Sequence, residues 1–162
     1  MIKELGNRPA SRIARCGSIL LNDIRGATTV ADMDADFVHQ QNIVKDHGHF
    51  SSLVVLHTAT MGSPQNDVKE RAAEQARQMG DKNIATAIVL HGTGIAATVM
   101  RTVLVGYFLM TKAGNKQKAF GTIEEAVEWL KSLPGQDAEA KKFDAAEAKK
   151  WFNLDGAAKK AA

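Results

Sequence analysis

Cysteine is almost missing from this chain: Cys16 is the only one in 162 residues. A lone thiol closes no intramolecular disulfide and leaves a cysteine-rich zinc site without ligands. Aromatic residues are scarce at 6%, and neither charge dominates, with 21 basic residues against 18 acidic ones and a net charge of +3. That balance, interleaved along much of the chain, excludes a dedicated nucleic-acid binder, which shows a basic face and stacking aromatics. No long apolar run is free of charge either. The best candidate, AIVLHGTGIAATVMRTVLVGYFLM over residues 87–110, has Arg101 near its middle and His91 with two glycines near its start. A spanning helix needs about 20 apolar residues without such a charge, so no membrane span is expected. The first residues lack an apolar core followed by a small-residue cleavage site, and a reducing cytoplasm is the expected location.

What is present is an ordinary globular composition, 44% hydrophobic and 24% charged, in a chain the length of one domain. Residues 1–10 read as an N-terminal arm punctuated by Pro9. Two short strands follow, roughly Arg12 to Cys16 and Ser18 to Ile24, joined at Gly17 as a hairpin or one bulged strand. Thr29 can cap a helix over residues 30–46, with Asp32 in its acidic first turn. The run SSLVVLHTA fits a buried strand. Ser63 before Pro64 predicts a helix from Pro64 to about Met79, stopped by Gly80. NIATAIVLH reads as a second buried strand, Ile95 to Lys112 as the longest helix, and Lys116 to Phe120 as a short strand. Thr122 and Glu125 form a capping box that opens IEEAVEWLKSL, ended by Pro134 and Gly135.

That order predicts an α/β domain over residues 11–134, a mixed sheet of four or five strands covered by helices. Its first pair is expected to be antiparallel and its later strands mostly parallel. Residues 135–162 turn to alanine and lysine and read as a tail with a short helix. Asp144 would cap that helix, and Phe143, Trp151, Phe152 and Leu154 would anchor it.

Chemistry-bearing patterns are sparse. The turn HGTG, His91 to Gly94, lies between a predicted strand and helix, where the amides of Gly92, Thr93 and Gly94 could hold an anion. It completes neither the P-loop nor the G-x-G-x-x-G pattern, and tight-turn geometry is the plainer reading. Five histidines, His39, His47, His49, His57 and His91, raise a metal site; His57 and His91 end neighbouring predicted strands and so could meet at one edge of the sheet. No H-E-x-x-H or G-x-S-x-G accompanies them, so no catalytic residue, metal or cofactor is assigned and the chain is read as non-enzymatic. Ser63 reads first as a helix cap; a phosphate added there would sit on the positive end of the helix dipole.

The element order, together with AIVLHGTGIAATVMRTVLVGYFLM and KQKAFGTIEEAVEWL, resembles the SpoIIAA-like branch of the STAS domains, relatives of the bacterial anti-sigma-factor antagonists. The likeness covers about Arg12 to Leu133 and rests on packing patterns, the clearest being EEAVEWL at Glu124 to Leu130. In that family a serine in a D-S-S-G-type loop at a helix start is phosphorylated by a partner kinase. The matching place is Thr60 to Pro64, where the Asp and the paired serines are missing and Ser63, or less well Thr60, stands in. The resemblance implies a cytoplasmic regulatory module that binds a protein partner or itself; the charge balance and few aromatics speak against nucleic acid. The alternatives are a domain binding a nucleotide-like or lipid-like small molecule and, more weakly, a metal-dependent enzyme using His57 and His91.

Overall fold

The computed structural model describes residues 1–92, 94, 98 and 116–154. Six strands, β1 (Lys3–Asn7), β2 (Ser11–Cys16), β3 (Ile19–Ile24), β4 (Phe50–His57), β5 (Asn83–His91) and β6 (Gln117–Phe120), form one sheet in sequence order. The pairs β1/β2 and β2/β3 are antiparallel; from β3 to β6 all neighbours are parallel. The sheet thus has one more strand than the upper end of the sequence expectation. The addition is β1, in the stretch read as an arm. Its sequence KELGN offers little alternation, and backbone pairing with β2 rather than a hydrophobic pattern makes it a strand.

Gly17 turns the β2–β3 hairpin with φ +57°, and a Cβ there would press on Asp137, Glu139 and the Ala140 amide. Glycine is needed for both reasons. Helix α1 (Val30–His47) carries the capping box Thr29/Asp32 and ends at Gly48 in the left-handed region. Helix α2 (Asn66–Met79) starts two residues later than Ser63–Pro64 predicts, and Ser63 is not its cap: Gln65 is, without a side-chain hydrogen bond. Burial of Met61 and the extended backbone of Gln65 keep the intervening chain out of the helix. Helix α3 (Ile123–Ser132) opens on Thr122, whose hydroxyl accepts from the Glu125 amide. Apart from Thr98, the expected helix Ile95 to Lys112 lies outside the described residues.

The sheet is buried on both sides. Ile43 of α1 and Met79 of α2 pack with Ile13, Leu20 and Phe50 on one face. Against the other, Leu21, Leu53, Val55, Ala87 and Val89 meet Ala126, Val127 and Leu130 of α3. This second core continues into α4 (Ala138–Lys141) and α5 (Ala145–Trp151): Ala140, Phe143, Ala148 and Phe152 are all fully buried. Residues 136–154 therefore supply one face of the core despite their alanine- and lysine-rich composition. Gln136 bonds Ser51 Oγ and the Leu130 carbonyl, and Asp137 accepts from the Ser18 and Ala140 amides.

Candidate functional site

Strand alternation carries Leu21, Val55 and Val89 into the core under α3, and the next residues of the same phase are Asp23, His57 and His91. At the carboxyl ends of β3, β4 and β5, polar side chains thus replace apolar ones on a core-facing row. Asp23 is fully buried; its Oδ1 bonds His57 Nε2 at 2.7 Å and its Oδ2 accepts from Arg25 Nε at 2.7 Å. A carboxylate held at no exposure requires such partners. His57 and His91 stand opposite each other in register, with ring centroids 5.0 Å apart in an edge-to-face arrangement.

The same pair of strand ends anchors the loop between β4 and α2. The Thr58 amide and hydroxyl both donate to the His91 carbonyl, and the Thr60 and Met61 amides both donate to the His57 carbonyl. Met61 is buried with Leu56, Ile88 and Leu90. The loop is pinned from below, and Thr60 and Ser63 are exposed on it.

Gly92, with φ +138°, lies so close to Thr58 that an added Cβ would overlap Thr58 Oγ1. Its lack of a side chain is explained by this packing. Gly92→Ala is expected to cost about 2 kcal/mol from backbone strain and the displaced threonine. Removing the obstructing hydroxyl with Thr58→Ala should recover part of that cost, leaving the strain at φ +138°. Urea midpoints of the four members of the cycle check this; an equal penalty for Gly92→Ala in both backgrounds would exclude the clash as its source. Gly94 also has positive φ, with no atom within 4 Å of an added Cβ, and Thr93 lies outside the described residues.

Burial first, then the neighbouring His57, pushes the His91 pKa below the ordinary histidine value. The unfolded chain therefore takes up this proton before the folded one. The associated stability is present above about pH 6.5 and is lost as pH falls through the lower folded value. His91→Gln should consequently lose less thermal stability than wild type between about pH 7 and pH 5. Identical slopes for the two proteins would remove His91 from the account.

The other histidines do not join this cluster. His47, at the end of α1, pairs with Asp137 at 3.1 Å, and His49 immediately precedes β4, at the opposite end of the strand from His57. Among the described residues no group of three or more His, Cys, Asp and Glu side chains could hold a metal ion. Sequence reasoning brought His57 and His91 together but missed Asp23 and Arg25. The available signal was Asp23 itself, a carboxylate two residues beyond Leu21 on the inward phase of a strand. No helix among the described residues is long and apolar enough to cross a membrane. Compared with known proteins, the chain matches no family model, no curated protein and no solved structure.

Proposed function

We propose that this chain is a non-catalytic, cytoplasmic regulatory module that binds a protein partner through the carboxyl edge of its parallel strands, in the manner of the STAS domains it resembles. The observation that carries this reading is the pinned β4–α2 loop, with Met61 buried and Thr60 and Ser63 exposed. This loop follows a parallel strand and precedes a helix, and the resemblance implies a phosphoacceptor in such a loop. The Asp23–His57 bond braces the strand end from which the loop departs, a positioning use of histidine that needs no reaction.

Helix α2 strengthens the case. Gln65 makes no side-chain cap, and among the described residues only Val68 of its first amides has a side-chain acceptor, Asp67 Oδ1 at 2.8 Å. A phosphate on Ser63 would bring a dianion to the positive end of this helix and compete for the remaining amides. The same charge would repel an acidic partner surface, so one modification would both reshape the loop and alter docking.

Affinity capture with wild type, Ser63→Ala and Ser63→Asp as baits tests the reading. The expected result is a defined partner held by the first two and released by the third, or the reverse. The same proteins on all three baits would remove Ser63 as a switch, and no specific protein on any bait would remove the interaction reading.

A further inference from the structure

A second feature lies at the tip of the β1–β2 hairpin. A shallow open depression of about 620 Å³ is lined by Asn7, Arg8, Ser11, Arg12, Arg25 and Asn153, within the about 300–1,000 Å³ of small-molecule sites. Three arginines line it, and no Asp or Glu is among its lining residues. We propose that this depression binds a small multivalent oxyanion, a molecule bearing phosphate or carboxylate groups.

The arginines are held in place by groups outside the lining. Arg25 Nε donates to buried Asp23 and its Nη2 to the Phe152 carbonyl at 3.0 Å. Those bonds use two of the five N–H donors of a guanidinium. Arg12 lies over the Trp151 ring, 4.7 Å from its centroid, and Nη1 donates to the Trp151 carbonyl at 3.1 Å. Its Nε is buried without a hydrogen-bond partner, so the donors it can offer the depression are those of the two Nη atoms. Arg8 is tied to Asp36, which is buried, and to Asp32 at 3.4 Å. Carboxylates behind the lining, backbone carbonyls and the Trp151 ring thus fix planar forks whose remaining donors match the geometry of phosphate and carboxylate oxygens. Fixing them before the ligand arrives lowers the entropic cost of binding.

All three arginines pair with a carboxylate, and the partner of Arg12 Nη2, Glu4 at 3.3 Å, is the most exposed of these. Glu4 competes with an incoming anion for that donor. This makes a gain of binding predictable, and a misfolded variant does not produce one.

Isothermal titration of the full chain with inorganic pyrophosphate and, separately, citrate tests the site, with sodium chloride at matched ionic strength as the control. Saturable binding of at least one probe is expected. Asn153→Asp or Asn7→Asp, each placing a carboxylate on the depression with little change of shape, should weaken it about tenfold, while Glu4→Gln should tighten it about threefold. Arg12→Gln should weaken binding, and thermal melts of all variants verify the fold. Binding of pyrophosphate alone assigns the ligand to the phosphates, binding of citrate alone to the polycarboxylates, and binding of both to oxyanions generally. No saturable binding of either probe to the wild type, or binding unmoved by these substitutions, overturns the proposal. The site does not depend on Ser63, so the two experiments fail independently.

Discussion

A chain truncated after Gly135 is expected to show no cooperative thermal transition. The removed segment carries Ala140, Phe143, Ala148 and Phe152, all fully buried in the core between the sheet and α3. Burying each phenylalanine is worth up to about 3 kcal/mol, and the two together reach the lower end of the about 5–15 kcal/mol that keeps a domain folded. Truncation also takes away the Gln136 bonds to Ser51 and the Leu130 carbonyl, the Asp137 cap, and the carbonyls that hold Arg12 and Arg25. It would further expose Val127 and Leu130 to water. Circular dichroism during heating checks the truncated chain. The graded version is Phe152→Ala in the full chain, expected to lower stability by about 3–4 kcal/mol. A truncated chain that melts cooperatively near the wild-type temperature would show that residues 136–154 only decorate the domain.

Local rules made much of this fold legible. The Thr29/Asp32 pair and the Thr122/Glu125 pair mark helix starts because their hydrogen bonds close within four residues. Apolar runs such as SSLVVL and ATAIVL read as buried parallel strands because both sides of the sheet are covered. Where pattern and packing part, the sequence says less. Strand β1 earns its place from the ladder with β2, and residues 138–151 look solvated by composition because nine of the fourteen are alanine or lysine, although one narrow face is fully buried. The site divides in the same way. His57 and His91 could be paired from sequence because each ends a strand, and neighbouring parallel strands end together. The convergence of Arg8, Arg12 and Arg25 could not, because it requires the hairpin tip, the end of β3 and the chain after α5 to meet in space.

Asp23→Ala is expected to cost about 3 kcal/mol, lowering the melting temperature by about 10 °C. The reason is what stays behind. Asp23 is fully buried and takes one bond on each oxygen, so its loss strands His57 Nε2 and frees Arg25 Nε at the same time. Arg25 is partly exposed and can recover water, whereas the His57 side chain is 18% exposed and has less access to it. The larger share of the penalty should therefore run through the histidine. Double-mutant analysis makes this measurable: with His57→Phe already in place, Asp23→Ala should cost less than in wild type by about 1–2 kcal/mol, whereas a distant core substitution such as Ile43→Val should add independently. Asp23→Ala should also loosen the loop that hangs from the His57 carbonyl, seen as faster amide hydrogen exchange at Thr60 and Met61, whose amides bond that carbonyl. If stability falls but exchange at those amides is unchanged, Asp23 braces the sheet edge without reaching the loop. Faster exchange there would tie the buried carboxylate to the loop on which Ser63 is exposed.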